Sequence, residues 1–324
     1  MAISGENSKF TLIRCADDAA WHAARNLGIG GSDVAAILGL SKWSSPSEIY
    51  LDKIGQGLPD DDAKKDLFAF GNIMEPYVRD RFAQEHPEIR VRRVNAICQA
   101  KDRPWAQASL DYECRENGEW GVLEIKTARS QSSWDAGVPP YYLTQVMHYL
   151  AVTGRSFAWV ACLFRDSCRV KSFRVERDDA YIAAIESAVD RFWNENVLKR
   201  VPPTTVVATE NESKALVAIW GAPKSKGATA YATDPQTAQA IAEYRQAVAD
   251  EKLAKERKSQ LSNWLISRVG DNAALISGKT RVTWIRSMRE SFDRKALKRD
   301  HPDVYQKYST QKLTSGGIRI SEVK

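Results

Sequence analysis

Three short pieces of this 324-residue chain hold side chains that do chemistry when brought together: Ser109-Leu110-Asp111, Asn117-Gly118 and Leu123-Glu124-Ile125-Lys126. Asn-Gly between two alternating runs is a strong signal for a two-residue type I′ hairpin. With that dipeptide as the turn, Glu116 pairs with Glu119, Asp111 lies opposite Glu124, and Ser109 faces Lys126. Alternation then puts Asp111, Glu124 and Lys126 on one face and Leu110, Tyr112, Leu123 and Ile125 on the other, core-side face. Two carboxylates across a ladder lie ~5 Å apart and repel. Such a pair calls for a shared proton or a cation between them. Mg²⁺, which takes one or two carboxylates with water and phosphate oxygens, suits the pair. Lys126 would reach the same cavity, to orient or deprotonate a water. A surface hairpin with scattered charges is the simpler account. The apolar Val-Leu-Glu-Ile setting makes an unpaired charge costly there, and the site is favoured.

The elements that must position these residues follow from periodicity and punctuation. Asp17 to about Lys53 reads as short helices joined by Gly- and Ser-rich turns, and Ala63 to Glu85 as helical with a break near Gly71 and Pro76. Proline suits a first helical turn, so a new helix is expected at Pro76 with Glu75 at its mouth. Ile89 to Gln99 alternates like a strand and leads into the hairpin. Pro139-Pro140 opens a helix to Val152 that Gly154 ends; Phe157–Phe164 and Arg169–Val175 are strands; Asp178 to Lys199 is a helix with an apolar stripe. The expected fold is α/β (α+β), a mixed central sheet flanked by helices.

Pro202-Pro203 and the Gly/Ala/Ser/Lys-rich stretch from Gly221 to Thr229 loosen the pattern. The expected division is a core over 1–200, a loose segment over 201–233 and a helix-rich basic extension over 234–324. In the extension, Asp234-Pro235 and Gly270 bracket one long helix or a hairpin of two. Ala273–Ser277 and Thr280–Arg286 read as a short hairpin closed by Gly278. Beyond it, ten basic residues (Arg286, Arg289, Arg294, Lys295, Lys298, Arg299, Lys307, Lys312, Arg319 and Lys324) face five acids. A solvated face and a docking surface both fit that tail.

Composition narrows the class. Hydrophobic residues make up 43% and charged residues 27%, as in ordinary globular proteins. The formal net charge of +6 and a sequence pI near 9.0 favour a polyanionic partner without requiring one. Five cysteines without a C-x-x-C pair argue against a disulfide framework and a structural zinc site. Met1–Arg14 lacks the apolar run of a signal peptide, and no stretch approaches the ~20 apolar residues of a membrane span. A soluble cytoplasmic protein is expected.

Other candidates are weaker. Arg25 and Gly28-Ile-Gly-Gly-Ser-Asp33 form a Gly-rich turn ahead of a helix over Val34–Leu38. The turn fails the dinucleotide fingerprint and lacks the Gly-Lys-Ser/Thr of a P-loop. Free N–H groups at a helix start attract phosphate, with a Ser32 hydroxyl and an Arg25 fork to help; Ser32 merely capping the helix explains the residues equally well. Tyr142, Gln145 and Tyr149 share a stripe of one helix. His22, His86, His148 and His301 are isolated.

Gly28-Ile-Gly-Gly-Ser-Asp-Val-Ala-Ala-Ile-Leu-Gly39, Gly71-Asn-Ile-Met-Glu-Pro76, Ala108-Ser-Leu-Asp111, Leu123-Glu-Ile-Lys126 and Gln145-Val-Met-His-Tyr149 occur in the order of a known family. The chain resembles the YqaJ-type viral recombinase family, phage alkaline exonucleases similar to lambda exonuclease within the PD-(D/E)xK nuclease superfamily. The resemblance spans roughly Arg25 to Phe164 and departs from the superfamily pattern at Leu110, where a proline usually precedes the aspartate. It implies a restriction-endonuclease-like fold and a Mg²⁺-dependent 5′→3′ exonuclease acting on double-stranded DNA ends. Such enzymes release mononucleotides and leave a 3′ overhang. It implies two Mg²⁺ ions, replaceable by Mn²⁺, on Asp111, Glu124 and the Ile125 carbonyl. Lys126 is implied at the attacking water, Glu75 as an extra acid, Gln145 near metal-bound water or phosphate, and Arg25 with Ser32 at the DNA 5′-phosphate. A ring-shaped homotrimer, a single-strand DNA annealing protein as partner, and a phage or prophage setting in a bacterial host complete the implication. A restriction-like or structure-specific endonuclease of the same superfamily, and a non-catalytic DNA-binding or annealing accessory protein, are the competing readings.

Overall fold

The computed structural model describes residues 9–59, 62–221, 229–288, 290–310, 318, 320 and 321. Two units divide at Ala222/Pro223. The first runs β1 (Phe10–Ile13), α1 (Asp18–Asn26), α2 (Gly31–Ile37), α3 (Pro46–Lys53), α4 (Asp62–Glu85), β2 (Arg90–Arg93), β3 (Ile97–Ala100), β4 (Gln107–Ser109), β5 (Tyr112–Glu116) and β6 (Glu119–Ala128). It continues through α5 (Pro140–Thr153), β7 (Phe157–Phe164), β8 (Arg169–Glu176), α6 (Asp179–Arg191) and α7 (Glu210–Trp220). Side chains write several of the helix starts: Asp17, Ser45, Asp178 and Thr209 each accept a backbone N–H in the first turn of α1, α3, α6 and α7.

The five-stranded sheet is ordered β2-β5-β6-β7-β8, with β6 and β7 parallel and the other pairs antiparallel. Asn117 and Gly118 take φ of 49° and 90°, the left-handed backbone a type I′ turn requires, and Glu116 pairs with Glu119. A parallel pair needs a crossover, which α5 supplies. Both faces of the sheet are covered. Tyr112, Leu123 and Ile125 pack with Val78 and Phe82 of α4, whereas Val122, Val160 and Phe164 pack with Val146 and Leu150 of α5. Alternation along β6 therefore sends Glu124 and Lys126 toward the α5 side.

The β5–β6 ladder stops at Tyr112–Leu123, and the chain bends at Asp111 before entering a separate sheet, ordered β1-β3-β4. Ser109 consequently pairs with Ile97 rather than facing Lys126, and Leu110 joins the α5-side core rather than that of Tyr112. The strand expected over Ile89–Gln99 is likewise two strands, one in each sheet. No new helix begins at Pro76: α4 runs through it, leaving Glu75 within the helix. Val78 and Phe82, both 0% exposed, anchor this helix to the sheet. Their burial offsets the roughly 3 kcal/mol that an interior proline costs.

Within 201–233, read as loose, α7 forms and buries Glu212 and Ala215. Glu212 Oε1 accepts from Ser47 Oγ at 2.6 Å, so this helix is clasped to α3. The Gly/Ala/Ser/Lys-rich stretch over 222–228 lies outside the described residues.

The second unit holds α8 (Pro235–Val269), β9 (Leu275–Ser277), β10 (Thr280–Val282), α9 (Arg294–Asp300) and α10 (Pro302–Lys307). The stretch from Asp234 to Gly270 is one 35-residue helix, capped by Asp234 on the Thr237 N–H at 2.7 Å. Arg289, Lys312, Arg319, Glu322 and Lys324 of the basic tail lie outside the described residues. Among the described residues no helix is long and apolar enough to cross a membrane, and all five cysteines are free.

Candidate active site

Asp111 sits where the chain leaves one sheet for the other. Its Oδ2 accepts the Ile125 N–H at 2.8 Å, so a side chain continues the ladder where backbone pairing ends. Glu124, 2% exposed, accepts at Oε1 from Lys126 Nζ (2.5 Å) and from Gln145 Nε2 (2.8 Å). Its Oε2 is buried with no hydrogen-bond partner among the described residues. Burial, then the neighbouring Glu124 charge, pushes the Asp111 carboxyl well above the usual carboxylate range. Glu75 adds to that push; Lys126 and the Ile125 N–H oppose it. Burial draws the Lys126 ammonium down, but Glu124 and Asp111 outweigh it and hold the group above its ordinary value. Lys126 is a cation here, and its Nζ lies 4.9 Å from the centroid of the Tyr142 ring.

Helix α5 serves the site from above. Gln145 Nε2 spans Glu124 and the Tyr149 hydroxyl (2.9 Å), so Gln145 and Tyr149 of the predicted stripe face the protein interior, while Tyr142 is partly buried. Glu75, reached from α4, lies 3.4 Å from Arg93, and burial followed by the Glu75 charge raises the Tyr112 hydroxyl above its ordinary value. The structure thus gathers Asp111, Glu124, Lys126 and Gln145 directly, with Glu75 close enough to shift Asp111.

Arg25 and Ser32 also meet: an Arg25 amino group donates to Ser32 Oγ at 3.0 Å, and its guanidinium lies over Trp21 at 4.8 Å. Gly30, rather than Ser32, is the helix cap. Asp33 and Lys53 complete this cluster. Buried Asp33 accepts the Gly30 N–H (2.9 Å) and pairs with Lys53 (2.8 Å). Burial pushes the Asp33 carboxyl up, yet Lys53 and Arg25 together bring it below its ordinary value. An acid three residues after a helix start is a capping signal, which could have flagged Asp33. Lys53 left no such trace.

A glycine joins the two clusters. A Cβ on Gly31 would stand 2.4 Å from Tyr149 Cε1 and 2.9 Å from Gln145 Cγ. Only glycine lets α2 approach α5 this closely, which ties the Arg25 region to the residue holding Glu124.

The donor set can be tested against a metal. Among the described residues no three His, Cys, Asp or Glu side chains cluster as a ready cage. Two mutually repelling carboxylates, one with an orphaned buried oxygen, nonetheless fit a hard divalent cation that completes its shell with backbone carbonyl and water.

Comparison with known proteins gives three findings. A family model described as the YqaJ-like viral recombinase domain matches residues 20–156. The uncharacterized protein YqaJ of Bacillus subtilis strain 168 is 31% identical over 297 residues, 89% of each chain. Among solved structures, an alkaline exonuclease from Laribacter hongkongensis is 26% identical with a TM-score of 0.46, covering 56% of this chain and 93% of that one. A phage-related exonuclease from Haemophilus somnus 129PT is 12% identical with a TM-score of 0.40, covering 56% and 99%.

Proposed function

Because this chain belongs to the YqaJ-like viral recombinase family, we propose that it is a Mg²⁺-dependent exonuclease that digests double-stranded DNA from its 5′ ends. The observation that carries the reading is the Asp111/Glu124 pair, with Glu124 Oε2 left bare beside a charged Lys126. A protein that only bound DNA would gain nothing from setting two repelling carboxylates together with one of them buried.

Asp111, Glu124 and the Ile125 carbonyl are the groups that would hold the ions, two for each site, with Mn²⁺ as a substitute. Bound there, they would lower the pKa of a water and offset charge on the reacting phosphate. The remaining work falls to the protein. Gln145 and Lys126 both donate to Oε1 of Glu124, which leaves Oε2 as the free ligand atom. Lys126, as an ammonium, donates toward the attacking water or the phosphate and steadies developing negative charge. Glu75 contributes further negative charge near Asp111. Arg25 and Ser32, tethered to α5 through Gly31, receive the 5′-phosphate and so set the register of the end. Release of mononucleotides, a 3′ overhang, a ring-shaped trimer and a single-strand annealing partner complete the proposal.

Digestion of a duplex labelled at one end, with and without 5′-phosphate, in Mg²⁺ and in EDTA, tests it. The expected result is loss of 5′ label as mononucleotide, faster with phosphate, and abolished by EDTA. Cleavage of a covalently closed circle would point instead to an endonuclease of the same superfamily. Binding without any cleavage in Mg²⁺ would point to an accessory protein.

A further inference from the structure

Trp43 is 48% exposed, although an indole gains much from burial. Its backbone is nevertheless fixed. Ser41 Oγ accepts the N–H groups of Trp43 (3.2 Å) and Ser44 (3.1 Å). Asn211 of α7 donates to the Trp43 carbonyl at 2.8 Å and to both Glu48 carboxylate oxygens at 3.0 and 3.1 Å. The indole meets Tyr141 edge-on at 5.0 Å and lies within 24° of parallel to Tyr142 at 6.1 Å. Tyr141 and Tyr142 themselves meet at 4.4 Å, and Tyr142 carries Lys126 over its face. An aromatic surface thus runs from the Lys126 ammonium outward to solvent. Lys42 stands beside it, with Nζ 5.7 Å from the Tyr141 centroid.

Resting on the nuclease reading, we infer that the half-exposed Trp43 indole, buttressed edge-on by Tyr141, is a stacking platform for a nucleobase at the DNA end. The indole is flat and half exposed, its backbone is tethered and Tyr141 buttresses it edge-on, while Lys42 and Lys126 lie against the two tyrosines of the cluster. Those features match a base attached to a phosphate backbone better than an apolar protein segment. Stacking is tolerant of sequence because every base has a π-face, as an enzyme digesting any end requires. Asn211 is a positioning residue in this arrangement, which gives α7 a task beyond packing.

The test measures duplex affinity of the full-length protein in EDTA. Three duplexes are compared: intact ends, abasic residues at the last two positions of both strands, and abasic residues well inside. Wild type is expected to bind the abasic end about tenfold more weakly than the intact one, the scale of one stacked base. The internal abasic duplex should bind like the intact one. Trp43→Ala should lose about the same factor on intact ends and be indifferent to the abasic end, while Trp43→Phe keeps most of the affinity. If the abasic end costs wild type nothing, or if the losses from Trp43→Ala and the abasic end multiply, the platform is wrong. Should Trp43→Ala fail to fold, terminal against internal abasic duplexes on wild type still decides. A wild-type protein that neither binds nor degrades duplex in Mg²⁺ overturns the nuclease reading itself; one that degrades ends but ignores their bases overturns only the platform.

Discussion

The unit over 1–222 and the unit over 223–324 are held together by different means. In the first, buried apolar side chains cover both faces of a five-stranded sheet. In the second, α8 spans 35 residues with Val269 as its one buried side chain, and Leu253, Leu261 and Trp264 are exposed. Charge divides the opposite way. Residues 223–324 carry 20 Lys and Arg against 11 Asp and Glu, whereas 1–222 carry 27 against 30. The basic character of the whole chain is therefore a property of the second unit, where Val269 is the one buried apolar side chain among the described residues. The unit with the candidate site is slightly acidic.

The sharpest test of this contrast is chemical. Asp111→Ala or Glu124→Ala should lower cleavage in Mg²⁺ by roughly a thousandfold or more, since several kcal/mol of phosphate charge stabilisation is removed. Duplex affinity in EDTA should change little; gel assays of both activities check it. Next comes packing. Phe82→Ala in the α4 interface should cost about 3–5 kcal/mol in chemical denaturation followed by circular dichroism, whereas Leu253→Ala on α8 should cost under about 0.5 kcal/mol. Equal costs would erase the contrast between the units.

A subtler break is Gly31→Ala. The methyl group must displace Tyr149 and with it Gln145, so cleavage is expected to fall by about a hundredfold, the usual cost of a ~1 Å misplacement. Unchanged kinetics would separate the Arg25 cluster from the site. The smallest effect is a pH dependence of stability. His148 Nε2 lies 3.1 Å from the Gln107 carbonyl and 3.3 Å from that of Ile29. Burial pulls its imidazole below the ordinary value, more strongly than those carbonyls raise it. The unfolded chain then binds the proton first, so this contribution is complete above about pH 6.5 and is lost as pH falls below it. Denaturation midpoints at pH 8 and pH 5.5 should converge in His148→Gln relative to wild type.

Much of the site was legible because the turn was. Asn-Gly fixes both dihedrals of a type I′ turn, and register follows by counting from Glu116. Counting failed at Ser109 because the break at Leu110–Asp111 leaves no mark in the alternation; only the competing sheet, supplied by Ile97 and Phe10, explains it. Pro76 misled for a similar reason, since local propensity knows nothing of Phe82 packing two turns later. Helix α7 was invisible because what stabilises it is Ser47, 165 residues away from Glu212. Spacing alone says nothing of which way the stripe of Tyr142, Gln145 and Tyr149 faces, and Gln145 was singled out only through the family resemblance; the sheet sets Glu124 against it.

The position of Asp111 has one more consequence. Because this carboxylate belongs to the joint between two sheets, it is steered by both. Asp111 stands between the three-stranded sheet and the larger one, whereas Glu124 lies on a central strand of the larger sheet alone. Substitutions remote from the pair, in β1 or β3, are therefore expected to change the spacing of the two acids without touching either one.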